Sequence, residues 1–443
     1  MKYASRMSGV CHRQQGQALV LGMLLAGVAA IALLRYFSVG QVVAAKARQL
    51  HGLDAAAYSA ALVQARALNM LSYINRAQVG HQVAMAHLVT LGSWASLGGT
   101  EARQLGTGNP PAYLIAMLFG ADHGAAYLAA SPAAGMESLA ATHGSLASAY
   151  AAHDRSVHDV LAAVQNEIVA SVPQARLAAA RAVLGRHYPE SSSFDLAISD
   201  DNWDGYVRRY GARQMLRPFI LEAANMYGFL QPRNRTASNP WDVQARCPWL
   251  RHELRRRGTT ELDASGRWQS LDTQSFHALR SNKWIGCYYR EYPMGWGWIP
   301  PSRQALAGVP HVDDPPENFS AQDFWRWVQQ ATQWDIVSGD ANPLANSKAV
   351  AGRPDWPGRG LADYIDIGAE GNSGEALRFA VMLKHPGPQG LTVVTRSAAA
   401  TFFARPEARQ DGRHELPNLF HPYWQARLDS SLSPEPGSGW QHE

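Results

Sequence analysis

Cysteine is scarce in this chain, and the three cysteines present lack metal-binding spacing. They occupy positions 11, 247 and 287 of 443 residues, so there is no Cys-x-x-Cys pair to support a structural zinc site. The sequence also has no Gly-x-Ser-x-Gly elbow and no phosphate-binding glycine loop. Nucleophile–base and paired-carboxylate spacings are missing as well. We therefore expect a protein that is not an enzyme and that needs neither a metal nor another cofactor.

Charge is also sparse. Charged residues make up 17% of the chain and hydrophobic residues 46%, a balance typical of a folded protein. The net charge is +4, and no long Lys/Arg run of the kind that binds nucleic acid is present, so we expect no nucleic-acid partner. The densest basic cluster is Arg255–Arg257, which we interpret as a solvated loop or helix end rather than a phosphate site.

Seventeen consecutive residues near the N-terminus, from Ala18 to Leu34, carry no charged or amide side chain. A membrane-spanning helix needs about 20 residues. The segment reaches that length when Arg35 extends to the lipid headgroups and Tyr36 and Phe37 lie at the interface, so we assign these three residues as interfacial anchors.

We therefore predict a basic tail at residues 1–16 and a transmembrane helix at residues 17–37. A cleaved signal peptide is the alternative, with Val43–Ala45 as its small-residue cleavage site. The apolar run exceeds the usual length of about 7–15 residues, and Arg35 interrupts the approach to that site, which favours the anchor. Basic residues flank the span in nearly equal number, so charge alone indicates the orientation only weakly.

The predicted span has a face of small residues. Gly22, Ala26 and Ala30 are spaced four apart, which places them on one side of a helix. Small residues let two helix backbones approach closely, and close packing is what drives helix association in lipid. We predict this face as a helix-packing surface, although Gly and Ala are common in any span.

Composition changes near residue 190. Only one of fourteen tryptophans and five of twenty-five prolines precede that point. Residues 38–186 are Ala-rich, and we predict an antiparallel helical hairpin or bundle that continues the membrane helix outward as a stalk. Residues 187–194 look like a linker, and residues 195–443 like a Trp/Pro-rich α+β domain. The predicted helix-packing stripe comprises Leu50, Leu53, Ala57, Ala60, Ala67, Leu71, Ile74, Met85 and Leu88, and it is interrupted by Gln64, Gln78 and His81.

Individual elements follow from the same patterns. We predict a turn-rich stretch at 98–111, a short helix at 113–119 and one long helix at 135–185 that Pro173 kinks. In the C-terminal part we predict a loop at 308–319 and a helix at 321–331. The predicted strands lie at 284–289, 378–383, 391–395 and 401–404.

Sixteen histidines suggest a metal site, but their spacing does not support one. His81 and His87 are six apart, and His153 and His158 are five apart, whereas two ligands on one helix face are four apart. His81, His143 and His153 lie on apolar stripes, where an interhelical hydrogen bond is the better interpretation.

Aromatic residues cluster in the C-terminal part, and we interpret them as core residues with partial exposure. The alternative is a surface that stacks on sugars, which would make the chain an envelope enzyme or a glycan-binding protein. The cluster comprises Trp284, Tyr288, Tyr289, Tyr292, Trp296 and Trp298.

The N-terminal segment resembles the TadE/TadG-like family of Flp-pilus (tight-adherence) assembly proteins. The similar features are the run Gly16-Gln17-Ala18-Leu19, the span, and Asp54-Ala55-Ala56-Ala57 soon after it. The resemblance covers about residues 13–65, and 418–428 is also similar to the end of large family members. It implies a single-pass bacterial inner-membrane protein with a cytoplasmic N-terminus and a periplasmic body. Its role would be structural, with other pilus or secretion-system envelope proteins as partners, or a second copy of itself.

Two departures from the family pattern limit what is carried over. Prepilins of this system have a glutamate five residues after the cleaved glycine, whereas Leu21 follows Gly16 at that distance, so processing as a major pilin is not expected. Asp429–Ser433 matches the Asp-x-Ser-x-Ser metal motif of some members as text. Only ten residues follow it, too few for the rest of that domain, and we interpret the match as chance.

The orientation that the resemblance implies leads to a disulfide prediction. Cys11 would be cytoplasmic, which leaves Cys247 and Cys287 as a pair in an oxidising compartment. We predict that they are bonded to each other, the alternative being two buried free thiols.

Overall fold

The computed structural model describes residues 17–191, 193–211, 215–283, 286–300, 356–368 and 376–430. The architecture mixes helix and sheet, which confirms the mixed fold class. The predicted loop at 308–319 and helix at 321–331 lie outside the described residues.

The first helix, α1, runs without interruption over Gln17–Thr107. Its residues favour helix, and no proline occurs before Pro110. The prediction of a turn from residue 98 is wrong, because the helix continues for another ten residues or so. Gly99 serves packing and does not end the helix. A Cβ built on it would lie 1.7 Å from Glu137 Oε2, so the glycine lets a neighbouring segment approach closely.

The prediction of one long helix at 135–185 is also wrong. Gly135 has a φ of 83°, and the chain makes turns at 141–144 that divide the segment. A one-turn π-helix over Ser156–Leu161 then precedes the last part. That last helix continues through Pro173 to its end. The helices after α1 are α2 (Ala112–Phe119), α3 (Ala121–Leu128), α4 (Glu137–Ala140), α5 (Ser145–Arg155), α6 (Ala162–His187), α7 (Trp203–Tyr206) and α8 (Leu216–Asn225).

The described residues contain ten strands. Eight of them form two antiparallel four-stranded sheets, with strand orders β1-β8-β9-β10 and β3-β4-β5-β6, and β2 pairs with β7. The predicted strands at 391–395 and 401–404 belong to one strand, β9. The strands are β1 (Asp195–Ser199), β2 (Val207–Tyr210), β3 (Arg235–Ser238), β4 (Glu253–Leu262), β5 (Trp268–Asn282), β6 (Gly286–Ile299), β7 (Tyr364–Ile367), β8 (Leu377–Pro386), β9 (Thr392–Phe403) and β10 (Trp424–Leu428).

The chain divides into two compact units. Unit 1 comprises residues 1–70, 169–208 and 367–443, and unit 2 comprises residues 71–168 and 209–366. Both α1 and α6 therefore contribute to each unit. The boundaries predicted at residues 37, 186 and 194 stay predictions.

In unit 1 the first half of α1 packs on the sheet β1-β8-β9-β10. Leu53, Ala57 and Ala60 are fully buried, and they share a core with Phe379 and Val381. Ala180 and Leu184 of α6 join the same core. The predicted stripe is thus buried against a sheet as well as a helix, whereas Leu50, which was included in it, is 40% exposed.

Polar residues on this part of α1 bind the sheet. Gln49 Nε2 donates to the carbonyls of Leu383 and Val393 at 3.0 and 3.1 Å. Gln64 Nε2 donates to Thr401 Oγ1 at 3.0 Å, and its Oε1 accepts from the buried Arg176 at 2.6 Å. Gln64, one of the residues that interrupt the apolar stripe, therefore helps to fix the register of α1 on the strands.

In unit 2 the second half of α1 lies against β6. Ser93 Oγ donates to the Gly297 carbonyl at 3.1 Å, and Thr100 Oγ1 donates to the Trp296 carbonyl at 2.7 Å. Only a glycine permits this close approach, because a Cβ on Gly297 would lie 2.0 Å from the Ser93 carbonyl oxygen. Nearby, α2 and α3 cover the same sheet through Ile115, Leu118 and Tyr127, which pack on Leu254, Phe276 and Met294.

Candidate functional site

The predicted membrane segment is uncovered in the structure. In the part of the chain that is described, α1 is the one helix long and apolar enough to cross a membrane, and its apolar window is not buried at all. It could be a membrane span or a signal sequence. Gly22, Ala26 and Ala30 are exposed together on its surface, with nothing within 4 Å of a Cβ built on Gly22. The anchors Arg35, Tyr36 and Phe37 are exposed too.

The two distal cysteines lie at bonding distance. The Sγ atoms of Cys247 and Cys287 are 2.06 Å apart and their Cα atoms 6.0 Å apart. Cys247 is buried in the segment before β4, and Cys287 lies at the start of β6. This geometry fits the predicted disulfide, which would tie an irregular segment of unit 2 to an edge of its sheet.

The histidine prediction is confirmed for one pair. His81 Nδ1 and His153 Nδ1 lie 2.7 Å apart and join α1 to α5 by a hydrogen bond. Burial and the neighbouring His153 lower the pKa of His81. His143 is exposed, so its assignment to an apolar stripe was wrong. Within the described ranges, no three His, Cys, Asp or Glu side chains are grouped for a metal ion.

The aromatic cluster contributes to packing where it is described. Trp298 is 4% exposed, and Tyr292 stacks on Phe276 with ring centroids 5.8 Å apart. Tyr289 donates to Glu253 Oε1 at 3.2 Å and lies under the Arg255 guanidinium. The core interpretation is confirmed for these three aromatics, while Trp284 lies outside the described residues.

A cleft that the sequence analysis did not predict lies over the sheet of unit 2. It consists of two cavities of about 450 and 530 Å³, and Arg235 and Arg256 line both of them. Trp94 and Arg233 border the first cavity. His123 from α3 borders the second.

The strand register places these cations together. Arg235 of β3 is the direct cross-strand partner of Arg256 of β4, and Arg256 in turn faces Gln274 of β5. Residues directly opposite in an antiparallel pair point to the same face. The interpretation of Arg255–Arg257 as a loop or helix end is therefore wrong, because the run is part of a strand and Arg256 alone points into the cleft.

A third arginine at the cleft is already neutralised. The Arg233 guanidinium donates to both carboxylate oxygens of Asp272, at 2.8 and 2.9 Å. Asp272 is fully buried, and the Ser93 hydroxyl shares its single hydrogen between this carboxylate, at 2.8 Å, and the Gly297 carbonyl. In contrast, neither Arg235 nor Arg256 makes a side-chain hydrogen bond or an ion pair with any residue that the structure describes.

One carboxyl group influences the cleft from α1. Glu101 packs over Gly295, where a Cβ would lie 2.5 Å from its Cγ. Burial raises the pKa of Glu101 to about 7, and the charge of Arg256 opposes that rise. Burial and then Glu101 raise the pKa of Tyr127. The Tyr127 hydroxyl is buried and has no hydrogen-bond partner among the described residues.

One sequence pattern could have identified Arg256 as a cleft residue. Because side chains alternate along a strand, a strand interpretation of residues 253–262 would have separated Arg256 from Arg255 and Arg257. Nothing in the sequence indicated that Arg235 lies opposite Arg256.

Comparisons of the chain with protein-family models, with curated proteins and with solved structures found no match.

Proposed function

We propose that this protein is a non-enzymatic, membrane-anchored structural component of an Flp-type pilus or related secretion machinery. One observation carries the proposal: α1 continues without a break from the exposed apolar segment into the core of unit 1. A continuous helix of this kind couples a position in the membrane to a folded body. The N-terminal resemblance to TadE/TadG-like proteins supplies the kind of machinery.

The structure supports a short distance between the span and the sheet of unit 1. Gln389 Nε2 donates to Ser38 Oγ at 2.8 Å, so the turn after β8 contacts α1 directly after the predicted interfacial anchors. Gln49, the first residue of α1 that is buried on the sheet, lies eleven residues farther along the helix. At 1.5 Å per residue this distance is about 16 Å. Such a component would hold its first folded unit next to the bilayer surface.

The proposed topology has the N-terminus in the cytoplasm and the chain after the span in the periplasm. Alkaline phosphatase fused after residue 443 is then expected to be active, because the enzyme needs an oxidising compartment for its disulfides. A cytoplasmic reporter at the same point serves as the matched control and should be silent. The reverse pattern of the two reporters would overturn the topology.

The exposed small-residue face is the proposed contact with a neighbouring membrane helix. Gly22→Leu and Ala26→Leu should each reduce the recovery of the partner in crosslinking or co-purification from membranes, because the larger side chain separates the helix backbones. Leu24 is 60% exposed, and Leu24→Ala should leave recovery nearly unchanged.

Membrane insertion is measured in parallel and should be the same for all three variants. Equal partner recovery from the three variants would show that this face is not an interface. Assembly would then depend on the folded units.

A further inference from the structure

We propose that the cleft of unit 2 binds a small anionic ligand through an oxyanion group, a carboxylate or a phosphate, held between Arg235 and Arg256. This site goes beyond the proposed structural role and does not depend on it. It would give the extracytoplasmic body a ligand that its assembly function does not require.

Two like charges lie next to each other in the cleft. Arg235 and Arg256 are directly opposite each other on neighbouring antiparallel strands. Like charges in that position destabilise a strand pair. The chain offers neither of them a carboxylate at hydrogen-bonding distance among the described residues, whereas it provides Arg233 with a bidentate one. Two adjacent guanidiniums with no ion-paired carboxylate in the described part of the chain favour an external anion.

The size and lining of the cleft suit a small anionic ligand. Cavities of about 450 and 530 Å³ fall in the range of small-molecule sites. The guanidinium group presents paired N–H donors that match carboxylate and phosphate oxygens. Gln274 on the next strand and His123 on α3 provide further polar groups at the wall of the larger cavity. Trp94 at the wall of the smaller cavity offers an apolar surface for the rest of the ligand.

Glu101 makes the site sensitive to pH. When this carboxyl is ionised, it competes with the ligand for the charge of Arg256. Its raised pKa means that it is protonated below about pH 7 and ionised above, so anion affinity should fall as the pH rises through that value. The described groups that face Glu101 are Arg256 from β4 and Tyr127 from α3. His123 also lines the larger cavity, and a variant must separate its effect.

The test uses the full chain in detergent and titration calorimetry at constant ionic strength, with inorganic phosphate and succinate as probes. We expect saturable binding of at least one probe, weakened about tenfold or more by Arg256→Gln and by Arg235→Gln. Arg280→Gln is the matched control, because Arg280 is exposed in the same unit and lines neither cavity. Phosphate binding alone identifies a phosphoryl ligand, and succinate binding alone identifies a carboxylate ligand.

The pH arm uses sulfate, whose charge is constant between about pH 6 and pH 8. Affinity should fall across that range in the wild-type protein and stay nearly level in Glu101→Gln, with His123→Gln measured beside it. Failure of all three anions to bind, or equal binding by Arg256→Gln and Arg280→Gln, would overturn the site. Neither result would bear on partner recovery by the membrane helix.

Discussion

Gly297→Ala is expected to destabilise unit 2 strongly. The new Cβ would lie 2.0 Å from the Ser93 carbonyl oxygen and 2.7 Å from the Leu97 nitrogen. Both are backbone atoms of α1, so no side chain can rotate away and the helix must move off the strand. That movement would also break the hydrogen bonds from Ser93 and Thr100 to β6. We expect a loss of about 3 kcal/mol or more in the free energy of unfolding.

The matched control is Gly80→Ala on α1. A Cβ there meets nothing within 4 Å, and Ala is preferred over Gly in a helix interior by about 1 kcal/mol. Chemical denaturation of the two purified variants should therefore shift the midpoint in opposite directions. If Gly297→Ala were as stable as the wild-type protein, the close contact between α1 and β6 at Gly297 would be contradicted.

Loss of the Cys247–Cys287 bond is expected to have an effect of similar size. The two residues are separated by 40 positions in the sequence. Closing a loop of that length lowers the entropy of the unfolded chain by an amount worth about 4 kcal/mol, or less if the folded state is strained. The double variant Cys247→Ala/Cys287→Ala should unfold at a correspondingly lower denaturant concentration.

Two measurements make this result specific. Reducing agent should destabilise the wild-type protein and leave the double variant unchanged. Cys11→Ser is the control variant, because Cys11 lies outside the 247–287 loop, and its stability should match the wild type. Two alkylatable thiols after residue 200 in the native, non-reduced protein, found by mass spectrometry, would contradict the bond.

The existence of long helices and of strands could be predicted because local composition determines them. Ala-rich sequence without proline predicted most of α1, and a short apolar run predicted the strand at 378–383. The interruptions of the α1 stripe could not be understood in the same way. In the sequence, Gln64 is a polar residue that interrupts an apolar stripe. Its hydrogen-bond partners, Thr401 and Arg176, are distant in sequence. Pairings over such distances leave no periodic signal.

The cleft was missed for the same reason. A run of three arginines suggests a solvated segment and not a strand, because charged side chains are unfavourable in the interior of a sheet. Only the pairing of β3 with β4 shows that Arg256 has Arg235 as its neighbour. The burial of Glu101 depends likewise on Gly295, whose lack of a side chain leaves room for the carboxyl stem.

The interleaving of the two units along the chain determines the order in which they can form. In unit 1, β1 pairs with β8, and Asp195 meets Lys384. Gln49 binds the carbonyl of Leu383, 334 residues away in sequence. The sheet of unit 1 is therefore incomplete until nearly all of the chain has been synthesised, whereas the sheet strands of unit 2, from β3 to β6, follow one another directly. Until β8 and β9 arrive, the apolar face of α1 around Leu53 and Ala57 has no sheet to cover it. A newly made chain thus passes through a stage in which this surface is open to chaperones and to premature association.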